Sequence, residues 1–301
     1  MALSHERTFR VRHYECDAYQ RMYYTNYLRY IQETAMDASA AAGLDGAWYD
    51  EHGFIWLVRE TEIEFVRLLR YGDSARVKTW VKNMRQASSR RAYELFRVGD
   101  GQLAARAETD WAFLDRSTGR PARIPPAIQS TFFPEGEEAT PAPRARFPNP
   151  PDPPSGAFAQ RRRVEWRDID PAQHVNNSVY LAYMEDCAVE AAAHVGWPPG
   201  RMRDCGFDLI MRRLRIEYKF PAVLGDVIRT STWLSGVSKA RSHRHFEIVR
   251  VADEKILARA CAVMECVHVE SGRPIDVPLE CLNALAASVS NARSCNPSAG
   301  T

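Results

Sequence analysis

Apolar residues in this chain recur with two periods, and each pattern occurs twice. Between Thr25 and Ala42 they fall at Tyr27, Tyr30, Ile31, Ala35, Ala38 and Ala42, the three-to-four spacing of a helix with one buried stripe. The stripe returns between Ser178 and Val195 at Tyr180, Tyr183, Met184, Cys187, Ala191 and Val195. Thr25 and Ser178 are expected as N-caps, and Gly43 and Gly196 stand where a left-handed residue closes a helix. Alternation with period two marks strands, as in Ala75, Val77, Thr79 and Val81, or Ile216, Tyr218 and Phe220. The pattern predicts a short strand over Thr8 to Tyr14, then, after the helix, four more: about Ile55 to Val66, Ser74 to Lys82, Arg90 to Val98 and Leu103 to Leu114. Each has an echo downstream, the first over Arg161 to Arg167.

A single offset of 153 residues brings the two patterns into register without a gap. It pairs Asp17 with Asp170, Tyr27 with Tyr180, Tyr30 with Tyr183, Gly72-Asp73 with Gly225-Asp226 and Thr79-Trp80 with Thr232-Trp233. A repeat this long is a duplicated domain, since solenoid units are several times shorter. The expected organisation is a first domain over 1–125, a proline-rich linker over 126–158, a second domain over 159–286 and a flexible tail over 287–301. Residues Pro121 to Pro154 hold 11 of the 18 prolines, and proline favours extended chain outside a sheet. One helix followed by hairpin-connected strands predicts an α+β class with a mostly antiparallel sheet wrapped on the helix. Two copies of one fold are expected to pack as a pseudo-dimer, leaving a monomer or a homodimer.

Composition excludes several classes. A hydrophobic content of 45% with 26% charged residues is that of a globular protein, and no apolar run approaches the roughly 20 residues of a membrane span. The N-terminus lacks the apolar core of a signal peptide, so a cytoplasmic protein is expected. Seven cysteines without C-x-x-C spacing suggest neither a disulfide framework nor a zinc site, and a net charge of +2 does not point to nucleic acid.

Candidate chemistry lies in the turn before each helix. Copy one reads Asp17-Ala18-Tyr19-Gln20-Arg21-Met22-Tyr23-Tyr24, and copy two Asp170-Pro171-Ala172-Gln173-His174-Val175-Asn176-Asn177. A helix N-terminus offers unbonded N–H groups to a developing oxyanion, and a carboxylate seven residues earlier stands opposite as base or nucleophile. Such a pairing suits hydrolysis of a thioester. Taken singly, an Asp before a helix is a turn or capping residue; repetition in register is what singles these out. Asn176 reads as a turn holder, Glu33 and Asp186 as partners for arginines, and Lys239, Arg241 and Arg244 as contacts for a pantetheine phosphate or an acidic carrier.

The D-I-D-P-A-Q-H-V-N-N of copy two resembles the acyl-ACP thioesterase motif, an Asp followed at two residues by Asn and at four by His. Asp17 with Tyr24 and Asn26-Tyr27 is similar to the signature of 4-hydroxybenzoyl-CoA thioesterases. The resemblance spans both repeats and implies a tandem hotdog fold, no metal or redox cofactor, and acyl-ACP or acyl-CoA as substrate, with acyl carrier protein as a partner. It places Asp170 and Asp17 as catalytic carboxylates, His174 as an orienting group, and the N–H of Asn177 and of Tyr24 as oxyanion donors. Two positions depart from the acyl-ACP pattern. Ala172 stands where the motif has Asn, and Pro221-Ala222 where it has Glu-Cys, so a carboxylate mechanism is expected over a thiol one. Rival readings are a hotdog hydratase or dehydratase, whose Asp and His are five apart rather than four, and a non-catalytic acyl-binding module.

Overall fold

The computed structural model describes residues 3–136 and 146–290. It divides into two compact units, Met1–Ala145 and Arg146–Thr301. The first unit runs β1 (Ser4–Arg10), α1 (Tyr24–Ala41), α2 (Gly46–Glu51), β2 (Phe54–Phe65), β3 (Ser74–Arg85), β4 (Ser88–Arg97), β5 (Leu103–Asp115) and α3 (Pro126–Phe132). Its strands pair antiparallel in the order β1-β3-β4-β5-β2. The second unit repeats the plan with β6 (Phe158–Arg163), α4 (Asn177–His194), α5 (Pro199–Asp204), β7 (Phe207–Tyr218), β8 (Val227–Ser235), β9 (Arg241–Arg250), β10 (Ile256–His268) and α6 (Leu279–Leu285). Its order is β6-β8-β9-β10-β7, again antiparallel.

The predicted stripe is the buried face of α1: Tyr27, Tyr30, Ile31, Ala35 and Ala38 are all buried, as is Leu28. Burying a large apolar side chain of this kind stabilises by about 1.5–3 kcal/mol. Each helix is also tied by one hydroxyl to the segment that follows β2 or β7. Tyr27 Oη accepts the Leu69 N–H at 2.7 Å, and Tyr180 Oη accepts the Ala222 N–H at 2.8 Å. Gly43 and Gly196 close the helices at φ +78° and +80°, the left-handed region only glycine enters without strain.

The boundaries differ from expectation for local reasons. The first strands stop at Arg10 and Arg163 because a short 3-10 turn follows, His13–Glu15 and Trp166–Asp168. Glu15 and Asp168 accept the N–H of Arg12 and of Glu165 at 2.8 Å, which folds the chain off the strand. Neither Thr25 nor Ser178 caps: the helices begin one residue earlier, and in the second unit Asn176 Oδ1 accepts the Ser178 N–H at 3.0 Å. Within the proline-rich stretch, Pro126 opens α3, whose Ile128 and Phe132 bury against Val81, Met84 and Phe113. Farther on, Pro151 O accepts the Trp233 indole N–H at 3.1 Å. Of the predicted tail, residues 291–301 lie outside the described residues. No helix among the described residues is long and apolar enough to cross a membrane.

Candidate active site

The turn before each long helix has one backbone shape. Asp170 N donates to His174 O at 3.0 Å and Gln173 N to Asp170 O at 2.9 Å; the counterparts are Asp17 N to Arg21 O at 2.8 Å and Gln20 N to Asp17 O at 3.0 Å. A glutamine sits in the left-handed region in both, Gln20 at φ +63° and Gln173 at φ +65°. A side chain there costs about 1–2 kcal/mol, so the surrounding bonds hold the turn against strain. Val175 N and Met22 N then anchor the turn to the segments after β7 and β2 through Ala222 O and Leu69 O, both at 2.9 Å.

The side chains filling this shared shape differ. In the second unit Asp170 Oδ1 accepts the Ala172 N–H at 2.9 Å and Oδ2 accepts the Asn176 amide at 3.2 Å. His174 Nδ1 lies 3.8 Å from Asp170 Oδ1 and 3.2 Å from Val175 O. A carbonyl only accepts, so in that bond Nδ1 carries the proton, and in a neutral ring Nε2 is left as the acceptor. That Nε2 is buried with no hydrogen-bond partner. Asn177 begins α4, and its N–H has no carbonyl a turn earlier within the helix to bond. Tyr218 Oη donates to Asn177 O at 2.9 Å, with burial pushing the phenol pKa up so that it stays protonated. Asp170, His174 and Asn177 are thus brought into one turn and helix end.

In the first unit Asp17 is enclosed. Its Oδ1 accepts the N–H of Tyr19 and of Arg21 at 2.8 and 2.9 Å, and its Oδ2 meets both Nε and Nη2 of Arg21 at 2.9 Å. An arginine fork on a carboxylate is a strong, oriented ion pair, and it holds the charge that a base would use. Tyr24 opens α1 with its ring against Phe65, centroids 4.7 Å apart. The nearest thiol in sequence, Cys16, is held protonated because burial, then Asp17 and Glu15, raise its pKa. At the position of the missing Glu-Cys pair, Ala222 is fully buried and gives its N–H to Tyr180.

Sequence reading underrated one residue. Asn176 holds more than the turn: its Oδ1 takes Ser178 N and Oγ, while its amide supports Asp170. The signal was present, an Asn directly before a helix, but the second contact reaches back six residues across the turn. Glu33 and Asp186 do pair with arginines, Arg7 at 3.6 Å and Arg162 at 3.0 Å. Arg244 is buried, whereas Arg241 and Lys239 are exposed, Arg241 pairing with Glu265 at 2.7 Å and Lys239 lying 3.9 Å from Asp276.

Residues 2–132 match the family model of the acyl-ACP thioesterase N-terminal domain, and residues 164–285 match the thioesterase-like superfamily. Each half of the chain is thus similar to a thioesterase family. A chloroplastic acyl-(acyl-carrier-protein) hydrolase of Cuphea viscosissima is 23% identical to this chain over 185 residues, covering 58% of the chain and 45% of that protein. The chain spans about half the length of the curated relatives it matches. Among solved structures, a Lactobacillus plantarum protein carrying the name oleoyl thioesterase superposes with a TM-score of 0.76 at 20% identity, over 88% of this chain and 96% of its own. The 12:0-ACP thioesterase from Umbellularia californica gives 0.69 at 18% identity, over 88% and 98%. These likenesses establish the tandem hotdog fold.

Proposed function

We propose that this chain is an acyl thioesterase that hydrolyses acyl-ACP or acyl-CoA thioesters with Asp170 as general base. The observation that carries the reading is the contrast between the two carboxylates. Asp170 is oriented by two neutral donors and keeps lone pairs open, whereas Arg21 takes up Asp17. In this reading Asp170 removes a proton from water as the water oxygen bonds to the thioester carbon. His174 Nε2 accepts from the same water and fixes its approach. The carbonyl oxygen, becoming an oxyanion, faces the Asn177 N–H and the positive end of α4; one such donor typically contributes about 2.7–4 kcal/mol to the transition state. The C–S bond then breaks and the proton passes from Asp170 to the departing thiolate. The family match of both halves supports acyl thioesters as the substrate class.

Thiol release over a panel of acyl-CoA and acyl-ACP substrates tests this. Asp170→Asn is expected to lower kcat by about 10²–10⁴-fold, the range of general-base catalysis, with KM little changed. Asp17→Asn is expected to leave kcat within a few-fold. Full turnover in Asp170→Asn sinks the assignment.

A further inference from the structure

Strands β2 and β7 end on different aromatic residues. Phe65 closes β2, and Tyr218, its counterpart at the 153-residue offset, closes β7. The two rings pack alike: Phe65 lies edge-on to Tyr27 with centroids 5.1 Å apart, and Tyr218 edge-on to Tyr180 at 5.5 Å. Packing accounts for the ring, and the first unit folds with no hydroxyl there. The Tyr218 hydroxyl donates to Asn177 O at 2.9 Å, the Asn177 side chain bonds to it as well, and burial keeps it protonated.

From that bond a continuous path runs to Asp170. The Asn177 carbonyl shares its peptide group with the Ser178 N–H, which donates to Asn176 Oδ1 at 3.0 Å; the Ser178 hydroxyl reaches the same oxygen at 2.7 Å. Asn176 in turn gives its amide to Asp170 Oδ2 at 3.2 Å. A peptide carbonyl that accepts a hydrogen bond makes the N–H of its own peptide a stronger donor, so bonds in such a series polarise one another. The first unit lacks both ends of the path and its middle. Phe65 stands for Tyr218, Tyr23 stands for Asn176 without capping α1 through its side chain, and Arg21 holds the carboxylate. The path is therefore complete only beside the carboxylate that is not paired with an arginine.

We propose that Tyr218 is a positioning residue for the hydrolysis, holding Asn177 at the helix end and, through Asn176, orienting Asp170. This rests on the reading of Asp170 as general base, and the test separates the two. Tyr218→Phe gives β7 the residue that β2 already carries, so its melting temperature is expected to stay close to that of the wild type. In thiol release, kcat is expected to fall about 3- to 10-fold with KM unchanged, the weight of one hydrogen bond. In an Asn176→Ala background, where the path is already cut, Tyr218→Phe is expected to cost less than about two-fold more. A tyrosine that only packs gives the same loss in both backgrounds. Ser178→Ala, which removes the hydroxyl bond on Asn176 Oδ1, serves as the second variant should Tyr218→Phe fail to fold, with a loss in kcat that again vanishes beside Asn176→Ala. Independently of turnover, the Asn176 side-chain amide proton, followed by NMR with isotopically labelled asparagine and assigned by its disappearance in Asn176→Ala, is expected to move upfield in Tyr218→Phe. Unchanged kcat, an equal loss in both backgrounds or an unmoved resonance overturns the proposal. Full turnover in Asp170→Asn with the Tyr218→Phe resonance still shifted upholds the hydrogen-bonded path and overturns the general-base reading instead.

Discussion

Asp17 and Asp170 occupy equivalent points of one turn and meet opposite partners, a cation in one unit and an amide in the other. That difference turns on single side chains, and Asn176 is the one to test. Asn176→Ala removes a helix cap and the support of Asp170 together, at a cost of about 1 kcal/mol in stability by denaturant titration and a fall in thiol release. Asn176→Asp keeps a cap of equal strength but sets a second carboxylate against Asp170, so stability is expected to return while activity stays low. A merely structural Asn176 predicts recovery of both. The two aspartates stand out in sequence because repetition separates them from ordinary turn residues, whereas His174, whose counterpart is Arg21, stands out only through the motif that copy two resembles. The Asn176 amide contact was not legible, since it spans six residues across a turn in which Gln173 takes a conformation that glutamine seldom adopts.

At the level of elements, the periodic segments were readable and the short ones were not. α1 and α4 are 18 residues long, five turns of consistent stripe, and their placement was out by one residue because the caps lie outside the stripe. α2 and α5 have six residues each, too few to establish a period, although Asp45 caps α2 through the Trp48 N–H at 2.9 Å. A buried tyrosine hydroxyl on a backbone donor ties each long helix to the segment after β2 or β7. Tyr27→Phe and Tyr180→Phe keep the packing but orphan the Leu69 and Ala222 N–H groups. Each is expected to destabilise by about 1–3 kcal/mol in urea, roughly the cost of one buried unmet donor. A loss near zero in both indicates that these hydroxyls are not structural ties.

For the whole molecule, stability carries a signature in mild acid. His245 is fully buried, bonded through Nε2 to Ser235 Oγ at 2.7 Å, and burial pushes its pKa down to about 4 from 6.5. The unfolded chain therefore takes up a proton first as pH falls from 6.5 toward 4, and the native state loses up to roughly 3 kcal/mol across that window. Urea midpoints measured at pH 7.5 and pH 4.5 are expected to fall more for the wild type than for His245→Gln; parallel falls refute the assignment. Duplication was the most legible property of the chain, because one offset accounts for fold class, element order and candidate site at once. The contrasts between copies needed coordinates, since they lie in which side chains share a face. The paired glutamine turns have a practical corollary. Because the same loop geometry persists with either set of occupants, it behaves as a cassette into which chemistry can be swapped. Installing His at Arg21 and Asn at Tyr23 is expected to free Asp17 from its ion pair and to give it the amide contact that Asp170 has, so that, if the proposed role of Asp170 holds, the first turn gains hydrolytic activity of its own.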